Sequence, residues 1–361
     1  MLSIIVLLSY LSLPKPLLPA VLTALSSLLM LLITDDFFNG LRSVVNYCSF
    51  VTVTAATYWI LKERPHLIDV FLKIASIIYA FGAILQLTIS EQIFTAVVAN
   101  QSGNYSDSGR GVASLTPEPT FFGFYLLLLI TLCMLIRNFR FAVLNSISLV
   151  LLSQSSGALL LVFIFGFIAS GVYFFSHFRK VFITFFASIF TGAILLYLFP
   201  ESRAAVLTDL LINYDILTLA ANDESVAGRF YHIATPLTLF FQDWGLPHGY
   251  DGLPNGDPRI LSGFGGAIFE LGIFSIPYIY SMIAIIQKSG LSSRGRFLLM
   301  IGITMFMFNS NQVGMPVVAI LMGVLILKKY TISGGYPDFI LISHPLSAPA
   351  YQVLPNSNSK V

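Results

Sequence analysis

The chain has 361 residues, 56% hydrophobic and 10% charged, with a mean hydropathy of +0.84 and a formal net charge of +2. A soluble domain carries roughly 25% charged residues, and so few charges cannot cover a surface that faces water on every side. Soluble enzymes, nucleic-acid binders and disordered scaffolds are excluded, and an all-α polytopic membrane protein remains.

In chain order, apolar runs separated by basic residues mark the spans. Leu2 to Leu13 is short for a crossing. Leu17 to Thr34, Ser43 to Leu61, Val70 to Ile89, Pro119 to Ile136 and Phe141 to Ser153 follow. Then come Ala158 to Phe175, Val181 to Leu198, Phe264 to Ile286, Phe297 to Phe308 and Met315 to Leu327. The pattern predicts ten spans, or eleven with the first run, in one integral membrane domain over 1–361. Two long connections interrupt it, at 90–118 and at 200–263, and a Pro- and Ser-containing tail covers 330–361. Cys48 and Cys133 fall inside apolar runs and read as packing residues; no disulfide framework or metal-ligand spacing is present. No basic segment and small-residue cleavage site mark the N-terminus, so no cleaved signal peptide is read.

Lysine and arginine placement sets the orientation. With both long loops outside, Lys15, Lys62, Arg64, Lys73, Arg137, Arg140, Arg179, Lys180, Lys288, Arg294, Arg296, Lys328, Lys329 and Lys360 fall inside. Arg42, Arg110, Arg203, Arg229 and Arg259 fall outside, among most of the acids. Every outer basic residue is thus an arginine, whose planar fork suits bidentate contact with carboxylate or phosphate. These arginines read either as ion-pair partners of the outer acids or as ligands of an anionic group.

In the first loop, glycines flank Arg110 and let the backbone approach a ligand closely. Glu118 stands just before Pro119 at a helix start, where the dipole favours a carboxylate; it reads either as that or as a catalytic or binding group. In the second loop, Val206 to Ala221 reads as an outer helix and a further helix carries Gly228-Arg229-Phe230-Tyr231-His232. Arg229 and His232 are three apart and share a helix face, a pair suited to binding an anion and handling a proton. The guanidinium would disfavour the protonated imidazole and leave it a base; the alternative is a histidine bonded only to backbone. The turn-rich run from Trp244 to Arg259 holds His248, Tyr250, Asp251, Asn255 and Asp257. Its rings can stack on sugar faces while its acids and amides bond hydroxyls; the alternative is an interfacial aromatic belt. Glu270 lies inside a predicted span, which makes it a functional candidate beside a structural, bundle-facing reading.

The R-F-x-H segment at Arg229 to His232, the W-G-x-x-x-G-Y element at Trp244 to Tyr250 and the single dominant late loop resemble the O-antigen polymerase and ligase superfamily. Exopolysaccharide and O-antigen polymerases are similar in their first outer segment, matched here by Arg110 and Glu118-Pro119-Thr120. After the large loop, Ser262-Gly263-Phe264-Gly265-Gly266 and Glu270-Leu271-Gly272-Ile273 fit their small-residue stretch and glutamate helix. The ligase-like His-Asn at the loop exit is missing, with Leu261-Ser262 there instead, which favours a polymerase.

The resemblance implies inverting, metal-independent glycosyl transfer at the outer face of the bacterial inner membrane, without cofactor or nucleotide sugar. The donor would be a glycan repeat unit on undecaprenyl pyrophosphate and the acceptor a sugar hydroxyl of another lipid-linked unit. Arg229 would stabilise the leaving pyrophosphate, helped by Arg110, Arg203 or Arg259, and His232 would be the base, with His248 or Glu118 as alternates. Trp244, Tyr250, Asp251 and Glu270 would line the substrate, and apolar grooves between spans would hold polyprenyl chains. A flippase and a chain-length regulator are the expected partners. A ligase, or a lipid-linked oligosaccharide flippase, is the alternative; a flippase would carry its charges deep in the spans, where only Asp69, Lys73 and Glu270 are available.

Overall fold

The computed structural model describes residues 13–98, 101, 111–155, 158, 161, 162, 164, 168, 224–251, 260, 262–309 and 316–333, with the backbone alone at 39, 224–230 and 329–333. The described residues are mostly helical and include no strand. Helices α1 (Leu18–Met30), α2 (Phe37–Glu63) and α3 (Leu67–Thr88) are followed by α4 (Pro119–Leu135) and α5 (Phe139–Ile147). After these come α6 (Glu224–Gln242), α7 (Gly263–Leu271), α8 (Ile276–Lys288), α9 (Ser293–Asn309) and α10 (Pro316–Ser333). By length and composition four stretches are apolar enough to cross a membrane, Lys15–Ile33, Gly40–Glu63, Leu67–Thr88 and Gly263–Lys288, of which the last is broken at Gly272. The predicted spans at 181–198 and most of 158–175 lie outside the described residues.

The side chains are sorted as lipid, not water, requires. On α1 the small residues Ala20, Thr23, Ala24 and Ser27 are buried, while Leu18, Leu22, Leu25 and Leu29 are exposed at helical spacing. Helix α3 repeats this, with Ser76, Ala80 and Ala83 inside and Val70, Ile74, Ile77 and Phe81 outside. Association among helices whose solvent is hydrocarbon rests on close backbone approach and polar contacts between them. Two such contacts join α1 to the α7–α8 region: the Thr23 hydroxyl donates to the Phe274 carbonyl at 2.9 Å and the Ser281 hydroxyl to the Pro16 carbonyl at 2.6 Å. Gly323 lets α10 lie against α2, since a Cβ there would come within 2.7 Å of Thr57 and 2.9 Å of the Thr54 carbonyl.

At one end of the bundle the Asn138 amide donates to Asp69, joining the start of α3 to the turn after α4. The far end is formed by the α1–α2 turn, the segment 111–118 and the chain between α6 and α8. That segment is held by buried amides: Gln101 donates to the carbonyls of Ser114 and Thr116, and Gln86 accepts from the Ser114 N–H.

The run read as one span from Phe264 to Ile286 is two helices. Gly272, at φ 53 and ψ −129, ends α7 in a conformation that glycine adopts and residues with a Cβ avoid. The ring of Phe264 lies 6.2 Å from that of Tyr278, whereas the same residues on a straight helix would be separated by about 21 Å of rise. Helix α7 therefore folds back along α8, with the tip of the hairpin at the far end. Hydropathy cannot report such a reversal, because both limbs are apolar.

Candidate functional site

Helices α6 and α7 lie side by side, and a proline sets their contact. Pro236 inside α6 has no N–H for the carbonyl four residues earlier. That carbonyl belongs to His232, and the Ser262 hydroxyl donates to it at 3.0 Å instead. Ser262 precedes α7, whose first residues Gly263 to Ala267 are all buried. A Cβ on Gly265 would sit 2.4 Å from the His232 carbonyl oxygen, so only glycine permits this approach. On Gly266 the nearest atom would be the Ile260 carbonyl oxygen at 3.4 Å, an ordinary contact. Gly265→Ala is therefore expected to cost about 1–3 kcal/mol of stability by overpacking. Gly266→Ala should be neutral or slightly stabilising, as alanine is in a helix. Unfolding midpoints of the two purified variants in detergent check the pair.

His232 is half-buried, its ring 5.6 Å from that of Tyr231 in an edge-to-face arrangement. Burial lowers its pKa below the ordinary value of 6.5, so the neutral imidazole persists to lower pH. The cause found is desolvation; an arginine was expected to produce the same direction. Arg229 lies in α6 one turn before His232.

The chain between α6 and α7 then crosses the far end and stitches the hairpin tip. The N–H groups of His248 and Gly249 donate to the carbonyls of Phe269 and Glu270, both at 3.1 Å, and Ile273 donates to Gly245 at 2.8 Å. These bonds satisfy the last carbonyls of α7, which have no partners within the helix. The His248 ring stacks on Phe269 with centroids 4.8 Å apart, and its Nε2 lies 2.9 Å from the Asp243 carboxylate. Tyr250 is buried and donates its hydroxyl to the Ser27 carbonyl at 2.8 Å. Burial first, and the Glu270 charge second, push the Tyr250 phenol up, so it stays a donor. Asp251 accepts the N–H groups of Asp35 and Asp36, each at 3.0 Å, and so ties down the turn between α1 and α2 from more than 200 residues away in sequence.

Glu270 stands near the end of α7, beside the reversal at Gly272, instead of within one long span. Its carboxylate accepts the Tyr47 hydroxyl at 2.7 Å and the Ser43 hydroxyl at 3.3 Å. Ser43 and Tyr47 were not singled out from the sequence, although polar residues four apart in an apolar helix share a face. The structure thus gathers Tyr250, Asp251 and Glu270 into a polar seam between α2 and the hairpin tip, with His248 beside it and His232 lower down, on α6. Trp244 is 92% exposed and takes no part in that seam. Glu118 is exposed at the N-terminal cap of α4, its carbonyl accepting from the Thr116 hydroxyl. Arg110, Arg203 and Arg259 lie outside the described residues.

Scans against protein-family models, curated proteins and solved structures return no match.

Proposed function

We propose that the chain is a multi-pass protein of the bacterial inner membrane, with ten or eleven spans and its long loops outside. Its reaction is the joining of undecaprenyl-pyrophosphate-linked repeat units into O-antigen, capsule or exopolysaccharide. The observation that carries this reading is the seating of His232, with Arg229 one turn before it, against the buried glycine-rich start of α7. The first N–H groups of a helix have no partners within it and favour an anion. A pyrophosphate at this point would meet those groups, and Arg229, one turn before His232 on α6, is the residue assigned to stabilise it. An apolar cleft of about 190 Å³ begins at Phe264 and runs between α8 and α9 along Ile279, Met282, Ile283 and Met300, a path suited to a polyprenyl tail.

In the reaction, the acceptor hydroxyl oxygen forms a bond to the anomeric carbon of the donor. The bond from that carbon to the pyrophosphate oxygen breaks, and undecaprenyl pyrophosphate leaves with the electron pair. The hydroxyl proton passes to the neutral imidazole of His232. Attack from the face opposite the leaving group inverts the anomeric centre.

Deleting the gene should leave lipid carriers loaded with single repeat units, read as the loss of the polymer ladder on a gel; a normal ladder would contradict the proposal. A pH profile adds a second test. With the folded imidazole below 6.5, the base form persists as pH falls through that value. Polymerisation in membranes should therefore hold at pH 6.5 and decline only further down. The linkage has the same sign, because the unfolded chain takes up the proton first. The stability that the neutral His232 contributes is present above about 6.5 and lost as pH falls through the folded value. An acid limb centred above 6.5 would place the base elsewhere.

A further inference from the structure

Trp244 combines two features that each disfavour it at its position. It occupies a left-handed conformation, φ 56, just after α6 ends. The Gly245 N–H closes that helix end by donating to the Phe240 carbonyl at 2.7 Å. Glycine is the usual residue there, because a Cβ is strained at positive φ. The indole is also 92% exposed, so the protein's own packing does not repay the strain. An exposed, strained tryptophan is retained for something outside the fold.

Its surroundings identify what that is. Phe241 and Leu246 beside it are 76% and 64% exposed. The Gly245 carbonyl that holds Ile273 brings the hairpin tip alongside, where Ile273, Phe274 and Ile276 are exposed as well. On the other side, Gly249 lies against Ile33, next to exposed Leu32. That places the patch at the top of the outward leucine stripe of α1. The apolar surface is therefore continuous with the lipid-facing side of a helix long enough to cross a membrane. The charged side chain in this turn is Asp243, whose carboxylate lies 2.9 Å from His248 Nε2 and is directed at that ring. At the opposite end of the bundle Trp59 lies under Lys62, 4.5 Å from Nζ to ring centroid. Tryptophan is enriched at membrane–water boundaries, where its ring and N–H suit the headgroup level.

We propose that the 241–246 turn and the 273–276 tip form a lipid-inserted anchor, with Trp244 in the interfacial layer of the bilayer at the far end of the bundle. The anchor fixes the depth of α6 and α7. It assigns Trp244 to lipid instead of to a sugar face, and it stands whatever reaction the protein catalyses.

The test uses the full chain with Trp59→Phe, leaving Trp244 as the one tryptophan, in vesicles of phosphatidylcholine and phosphatidylglycerol. Trp244 emission should be blue-shifted and shielded from aqueous iodide. Lipids brominated near the glycerol end of the chain should quench it more than lipids brominated at the chain terminus. Emission typical of water, quenched by iodide and untouched by either bromolipid, would overturn the anchor. If Trp59→Phe does not fold, the difference between wild-type and Trp244→Phe spectra gives the same readout. A second variant, Trp244→Gly, relieves the left-handed position. Its unfolding midpoint in detergent should equal or exceed that of the wild type. A clear fall would make the indole part of the protein's own packing and would also contradict the proposal.

Discussion

Replacing Gly272 with alanine is expected to remove at least about 3 kcal/mol of stability and to leave little monodisperse protein after extraction in detergent. Two effects act together. The backbone at φ 53 and ψ −129 is one that a residue with a Cβ avoids. The added methyl would also sit 2.2 Å from the Gly245 carbonyl oxygen and 2.7 Å from the Leu246 carbonyl carbon, both backbone atoms that cannot rotate away. Relief requires parting the tip from the loop. That breaks the Ile273 to Gly245 bond and leaves polar backbone groups unsatisfied in an apolar setting. The loop carrying His248, Tyr250 and Asp251 would lose its support, and with it the Asp251 bonds to the α1–α2 turn. A wild-type unfolding midpoint for Gly272→Ala would show that α7 and α8 do not fold back as described.

The second large effect concerns the proposed reaction. Arg229→Lys keeps the charge and loses the planar fork, and His232→Ala removes the proposed base. Each should lower polymer formation by about 10²-fold or more, reducing the ladder in complemented cells to single repeats. The fall should appear with normal amounts of protein in the membrane, checked by immunoblot. The His232 carbonyl that Ser262 holds is backbone and survives the substitution. Full-length polymer from Arg229→Lys would remove Arg229 from the mechanism, and from His232→Ala would move the base to His248 or Glu118.

Much of this arrangement is legible in the chain, in proportion to how far each signal is local. The predicted spans over 17–34, 43–61 and 70–89 coincide with helices long enough to cross a membrane, because hydropathy summed over a window reports solvent preference directly. The reversal at Gly272 escaped that reading, since the residues on both sides are apolar and a dihedral angle leaves no trace in hydropathy. Pro236 carried a readable consequence, a carbonyl at His232 in need of another donor, but the donor is Ser262 and sequence distance hides it. Asp251 reads as a sugar ligand in the sequence; that its carboxylate also holds the backbone of Asp35 and Asp36 is a contact between residues far apart in the chain. Glu270 stands out in the sequence as a carboxylate in an apolar run; its partners Ser43 and Tyr47 needed the fold.

The central claim is that this one chain joins lipid-linked repeat units. The most direct measurement reconstitutes the purified protein in proteoliposomes with a synthetic polyprenyl-pyrophosphate-linked repeat unit, without nucleotide sugar, and follows products by mass spectrometry. The account predicts chains of two and more repeats on the carrier, one free polyprenyl pyrophosphate released per bond formed, and inverted configuration at each new linkage. Unchanged single repeats beside a folded protein, with the carrier still fully loaded, would contradict it.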